Sequence, residues 1–183
     1  TEKDVIKPKR DFFPLGADLV NGKIDKIEAE NNRVLLENGT VLGYDILIIA
    51  TGCKVHPEET EGMKEELWYK NVFDFYTIEG AVALGNFFKY WQGGNLVINI
   101  VEMPIKCPVA PLEFAFLADW YFTERGIRDK VDITYVTPLD GAFTKPMASE
   151  KLGGFLAKKN IKLVTDFSIG SVDNETKEIV SWE

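Results

Sequence analysis

The strongest constraint on how this chain folds lies in residues 95–126, NLVINIVEMPIKCPVAPLEFAFLADWYFTERG. The apolar run at 96–101 predicts a short strand. The largely apolar stretch at 112–125 predicts a helix, with Gly126 as its C-cap. A strand–turn–helix of this kind opens a dinucleotide-binding unit, whose turn normally carries G-x-G-x-x-G so that backbone can approach a pyrophosphate. Here the turn at 102–111, EMPIKCPVAP, has no glycine and three prolines. The phosphate cradle is gone, and Cys107 stands in its place.

Pro108 and Pro111 suit a helix entry, where a missing N–H costs least and φ is already set. Cys107 is therefore expected at or just before a helix N-terminus. Unpaired N–H groups and the helix dipole there favour a negative thiolate, as they do around reactive cysteines, and Lys106 acts in the same sense. Glu113 follows in the first or second helical turn, where a carboxylate can relay protons to or from sulfur. A buried structural cysteine followed by a carboxylate that complements the dipole fits the same residues, and both readings stand at this level.

The remaining chain bounds the class. A length of 183 residues is enough for one domain or one and a half, and 45% hydrophobic with 27% charged residues is an ordinary soluble composition. The net charge is −8, with no basic cluster to track a nucleic-acid backbone, so no nucleic acid is expected as partner. Apolar runs such as 46–50 are far too short to span a bilayer, and there is no signal-peptide pattern. Cys53 and Cys107 make no disulfide framework and point to a reducing compartment. His56 is the sole histidine. With Cys53 it cannot complete a closed zinc site, and it reads as a solvated loop residue. Both ends, at Thr1 and Glu183, read as cuts through a larger protein.

Residues 19–30 read as a polar strand in which Ile27 breaks the alternation, a sign of a bulge or twist. Residues 33–37 and 41–44 flank Asn38-Gly39, a strong hairpin signal. Residues 46–50, ILIIA, read as a strand buried on both faces that ends in Thr51-Gly52, small residues suited to close approach of a ligand. Residues 53–66 read as a linker. Thr77 is expected to cap a helix over 78–91 with Ala81, Leu84, Phe88 and Trp91 inward. Residues 131–137 read as the next parallel strand. No acid at or near its end holds a ribose, a second mark against NAD. Ser149 is expected to cap a helix over 150–159 with Leu152, Phe155 and Leu156 inward. Residues 161–165 continue the sheet, and 168–172 with 178–182 form a hairpin. Trp120 and Trp182 read as packing residues.

GYDILIIATG at 43–52, the hairpin before it, and KCPVAPLEFAFLADWYFTERGIRDKVDITYVTP at 106–138 together resemble the sulfide:quinone oxidoreductases, relatives of the FAD-dependent pyridine nucleotide-disulfide oxidoreductases. The A-T-G turn is shared widely among flavoproteins. C-P-x-A-P-x-E in place of the glycine motif is far more specific to the sulfide-oxidising branch. The resemblance implies an α/β fold: a Rossmann-like, three-layer FAD/NAD(P)-binding domain with a parallel sheet, at residues 67–183, plus a β-rich remnant of the FAD domain at residues 1–66. It implies FAD as cofactor, with backbone contacts from Lys23 and Ile24 near the adenine and Thr51 and Gly52 against the flavin nucleotide. Cys107 would match the redox cysteine that carries sulfane sulfur, and Glu113 the neighbouring acid. Sulfide and quinone would be the substrates, in a cytoplasmic or peripheral-membrane setting. No G-x-G-x-x-G occurs in these 183 residues, so the chain alone is expected to hold no FAD and to be inactive. Its remnant sheet edges would favour self-association. Two other readings remain open. One is an NAD(P)H-dependent flavoprotein, either a type II NADH dehydrogenase or a disulfide reductase, against which the glycine-free turn argues. The other is a non-catalytic binding piece.

Overall fold

The computed structural model describes residues 5–182; Thr1 and Glu183, on which the reading of the ends rests, lie outside the described residues. The chain divides into two compact units, one ending at Gly52 and one beginning at Cys53.

The first unit is built on a three-stranded antiparallel sheet, β1 (Ile24–Glu28), β2 (Arg33–Leu36) and β3 (Val41–Gly43), in sequential order. The β1–β2 register slips between Ile24 and Lys26, the irregularity that Ile27 announced. Asn38-Gly39 makes the β2–β3 turn. Gly39 takes a positive φ of 83°, and Asn38 Oδ1 accepts the Thr40 N–H. Val34 and Leu36 are the buried hydrophobics of this sheet.

Two expectations fail in this unit. The strand expected at 19–30 is confined to β1. Residues 46–50 form no strand, and Ile46 and Ile48 are 85% and 83% exposed. A strand buried on both faces needs a neighbour on each side. The described strands of this unit pair with one another and offer residues 46–50 none.

The second unit is a Rossmann-like α/β structure. Strands β4 (Gly94–Asn99), β5 (Val131–Val136) and β6 (Ile161–Val164) form a parallel sheet in sequential order. Helix α1 (Ile78–Tyr90) precedes β4, α2 (Ala110–Glu124) joins β4 to β5, and α3 (Pro146–Lys158) joins β5 to β6. Ile98, Ile133 and Tyr135 bury one sheet face beneath Leu112, Ala115, Ala118 and Phe122 of α2 and Leu84 and Phe88 of α1. The other face carries Val97 and Asp132, both exposed. A hairpin of β7 (Ile169–Asp173) and β8 (Glu178–Ser181) closes the chain.

The segment expected as a linker, residues 53–66, groups with the second unit. Glu61 bridges Ser171 in parallel, the Val172 N–H donates to the Glu61 carbonyl, and Asn174 Nδ2 donates to the Gly62 carbonyl.

Local chemistry sets the helix ends. Thr77 Oγ1 accepts the Gly80 N–H, so the expected cap forms. Gly80 rather than Ala81 lies on the buried side of α1, packed on Asp74. Helix α2 ends in a Schellman motif: Gly126 sits at φ 66°, its N–H meets the Thr123 carbonyl, and the Ile127 N–H meets the Phe122 carbonyl. Arg125 Nη1 donates to the Phe88 carbonyl in the last turn of α1 and to the carbonyl of its C-cap residue, Trp91.

Ser149 does not cap α3, because Pro146 opens the helix three residues earlier and Ser149 Oγ accepts the Phe143 N–H instead. Leu156 is buried, but Phe155 faces outward under the Lys158 ammonium. Residues 152 and 156 share a face one turn apart, and 155 lies on the flank of that face, about 100° round the helix from 156. Trp120 and Trp182 are exposed, although the Trp182 ring lies over Gly170, where no Cβ intervenes.

Candidate functional site

The turn between β4 and α2 is irregular from residue 101 to residue 109 and contains a cis Met103–Pro104 bond. Met103 and Ile105 pack half-buried against the core and pin the turn to the C-terminal end of the parallel strands. In open α/β sheets ligands bind at that end. Ala110 begins the helix with Pro111 in its first turn. Cys107 stands two residues before the cap residue Val109 and is exposed, which removes the buried-cysteine alternative. Its carbonyl accepts the Ala110 N–H at 3.3 Å and the Tyr76 hydroxyl at 3.1 Å.

Glu113 is the fourth helical residue and is exposed; its N–H donates to the Val109 carbonyl. Among the described residues no hydrogen bond joins its carboxylate to Cys107. Cys53 is also exposed, on the segment after Gly52.

Tyrosines, which sequence reasoning passed over, crowd this end of the sheet. Burial, and then the charge of Cys107, raise the pKa of Tyr76. Tyr135, the fifth residue of β5, is fully buried with a hydroxyl that has no hydrogen-bond partner. Burial, and then the charge of Tyr76, raise its pKa strongly. The signal lay in the alternation of VDITYV, which puts Tyr135 on the same face as Ile133.

Helix α2 is anchored from behind. Asp119 Oδ1 accepts Arg128 Nε at 2.7 Å, and Oδ2 accepts Lys159 Nζ at 2.6 Å. Burial opposes ionisation of Asp119, but the hydrogen bonds from Lys159 and Arg128 outweigh it and hold the carboxyl below its ordinary range. Arg128 also donates to the carbonyls of Val131, Lys159 and Asn160, locking the start of β5 to the end of α3.

The residues expected to face a nucleotide lie in the first unit. Lys23 precedes β1, its carbonyl takes the Glu37 N–H, and its ammonium pairs with Glu37. Ile24 opens β1 and is exposed. Thr51 and Gly52 are exposed; Gly52 has a φ of 75° with open space where a Cβ would stand. That opening fits close approach of a nucleotide backbone, and among the described residues no strand pairs with the outer edge of β1 beside Lys23 and Ile24. Among the described residues no hydrogen bond joins the two pairs.

His56 is exposed and contacts Glu58 at 3.1 Å. Among the described residues no three metal-ligating side chains come together, and no helix is long and apolar enough to cross a membrane.

No family model matches the chain. It is 28% identical to the mitochondrial sulfide:quinone oxidoreductase of Dictyostelium discoideum over 181 residues, covering 98% of this chain and 40% of that protein. The crystal structure of the sulfide:quinone oxidoreductase of Aquifex aeolicus superposes with a TM-score of 0.66 at 24% identity, covering 88% of this chain and 39% of that one. The ferredoxin reductase for the CYP199A2 system of Rhodopseudomonas palustris has a TM-score of 0.61 at 16% identity, covering 94% of this chain and 39% of that one. The chain thus spans about 40% of the length of the curated relatives it matches. The expected sulfide:quinone oxidoreductase-like character is borne out over nearly the whole chain, as is the Rossmann-like α/β fold. That fold is common to oxidoreductases of more than one name.

Proposed function

We propose that the chain carries the cysteine-bearing part of an FAD-dependent oxidoreductase that oxidises sulfide and passes the electrons to a quinone. One observation carries this reading. An exposed cysteine replaces the glycine-rich turn at the ligand-binding end of a parallel sheet, in a chain similar to sulfide:quinone oxidoreductases over nearly its whole length.

The second unit would be the nucleotide-binding-like domain and the first a piece of the FAD domain. Lys23, Ile24, Thr51 and Gly52 would contact FAD through backbone. When bound, FAD supplies a two-electron acceptor that can be reoxidised by quinone. The chain's own residues do the rest. The Cys107 thiolate forms the bond to the incoming sulfur as two electrons leave, and holds it as a persulfide, Sγ–S⁻; a second hydrosulfide then takes the outer sulfur away as hydrodisulfide, HSS⁻, and returns Sγ to thiolate. Hydrosulfide gives up two electrons and one proton in becoming sulfane sulfur, and quinone takes up two electrons and two protons. Glu113, on the first helical turn beyond the cysteine, would pass the proton released by hydrosulfide to solvent. Pro104, Pro108 and Pro111 leave the turn poor in N–H donors for a competing pyrophosphate. Quinones reside in lipid, so the protein works at a membrane surface.

The test is sulfide-dependent quinone reduction by the full-length gene product with Cys107→Ser. Turnover should vanish while FAD stays bound, because serine cannot hold sulfane sulfur. Turnover near wild type would defeat the reading and leave Cys107 as an ordinary surface thiol. Tight, specific NADH binding would favour the NAD(P)H-dependent alternative.

A further inference from the structure

The cysteine turn has little hydrogen bonding of its own, yet one side chain from 31 positions earlier reaches into it. The Tyr76 hydroxyl donates to the Cys107 carbonyl at 3.1 Å. We propose that Tyr76 is a positioning residue for Cys107, fixing the main chain of the cysteine turn from a scaffold centred on Asp74. The proposal rests on the reading of Cys107 as the redox cysteine.

That scaffold is over-determined. Asp74 Oδ1 accepts the N–H groups of Tyr76 at 3.0 Å and Thr77 at 2.7 Å, while Oδ2 accepts the hydroxyls of Tyr69 and Thr77, each at 3.0 Å. Gly80 is required beneath it, since a Cβ there would collide with the Asp74 carboxylate and carbonyl. The Tyr76 ring stacks on Phe75 at 5.1 Å, and Phe75 stacks on Phe114 of α2 at 4.6 Å and 8° between planes. Phe114 is the neighbour of Glu113. The two sides of the proposed chemistry, cysteine and acid, are thus referred to one rigid group through Tyr76 and Phe75.

The arrangement suits a cysteine whose sulfur must lengthen to Sγ–S⁻ and shorten again in each cycle. The side chain changes while the Tyr76 bond holds the Cα. Misplacement of a reacting atom by about 1 Å costs on the order of 100-fold in rate. Tyr76 also keeps its proton well into alkaline pH, because burial and then the charge of Cys107 oppose its ionisation. It therefore donates throughout the working range. Tyr135, Tyr69 and Asp74, which face the same hydroxyl or its scaffold, remain in place when only the Tyr76 oxygen is removed.

Tyr76→Phe keeps the ring stack and deletes the hydrogen bond. In the full-length protein it should lower kcat for sulfide-dependent quinone reduction about 10- to 100-fold with KM for quinone unchanged. A second readout needs no cofactor. In the 183-residue chain carrying Cys53→Ser, the rate of Cys107 alkylation by iodoacetamide is followed against pH. An inflection above about pH 10, where the Tyr76 phenol ionises and can no longer donate, should appear with Tyr76 and be absent in Tyr76→Phe. Replacing Tyr76 by 3-fluorotyrosine, a more acidic phenol, should restore the inflection at lower pH. A wild-type kcat in Tyr76→Phe, or an alkaline inflection that is identical in the variant, overturns the positioning role. If Cys107→Ser is itself active, the underlying function falls instead, so the two failures are distinguishable.

Discussion

Asp119→Ala tests the claim that the cysteine helix is anchored from behind. The Asp119 side chain is 10% exposed, that of Arg128 20%, and that of Lys159 46%. Removing the carboxylate deletes two charge-assisted hydrogen bonds, each worth roughly 1.5–3 kcal/mol. Part returns, because a buried carboxylate no longer has to be desolvated. Lys159 loses little, since its half-exposed ammonium turns to water. Arg128 cannot turn away without also releasing the carbonyls of Val131, Lys159 and Asn160, so its Nε stays behind unpaired. The net cost should be about 2–3 kcal/mol, or roughly 7–11 °C in Tm for a cooperative unit of this size. Arg128→Met should cost about as much, and Lys159→Met under about 1 kcal/mol. Thermal and urea unfolding of the full chain, followed by circular dichroism, measures all three. A cost below about 0.5 kcal/mol for Asp119→Ala, or a larger loss for Lys159→Met than for Arg128→Met, refutes the anchoring argument.

Acid should show the same group. The Asp119 pKa is depressed on folding, so its contribution is complete above the unfolded value of about 3.9 and disappears as pH falls through the lower folded value. The Tm of wild type should fall more steeply than that of Asp119→Asn below about pH 4, and parallel curves would contradict the assignment. Gly62→Ala should destabilise by more than about 2 kcal/mol, since a Cβ would collide with the Val172 carbonyl oxygen with φ at 72°; Gly39→Ala, at φ 83° in open space, should cost only about 1 kcal/mol. The purified 183-residue chain should be colourless, and a flavin absorption band would show that the first unit binds FAD without a glycine-rich loop. Cys53→Ser in the full-length protein should keep most sulfide-dependent turnover; its loss would move the redox role toward Cys53.

Much of the second unit was legible because its signals are local. Thr77, Gly126, the apolar runs of β4 to β6 and the β7–β8 hairpin each act within a few residues, and each formed close to its expected place. The misses came where a distant group decides. Residues 46–50 have strand composition but no neighbour to complete the ladder. Pro146 outranked Ser149 as a helix start because it fixes φ, whereas serine had a better partner in the Phe143 N–H. The position of Cys107 beside a helix start could be read from its prolines. Its tether could not, because Tyr76 sits 31 residues earlier in a stretch whose pattern says only aromatic. The Asp119 triad was likewise invisible, since Arg128 and Lys159 meet it only after α2 and α3 have packed.

Pro104 and Pro108 between β4 and α2, with Pro111 in the first turn of α2, would also determine which electrons such a protein can refuse. A dinucleotide reductant docks by its pyrophosphate on main-chain N–H groups at this corner of the fold, and proline has none to offer. No single substitution reverses that: glycines would have to return, prolines leave, and Met103 and Ile105 release the core together. On the proposed reading, the turn would thereby insulate the centre from the large cellular pool of reduced nicotinamides. A small anion needs no such cradle, so it would reach the exposed sulfur while the cell's commonest hydride donors would find nothing to grip.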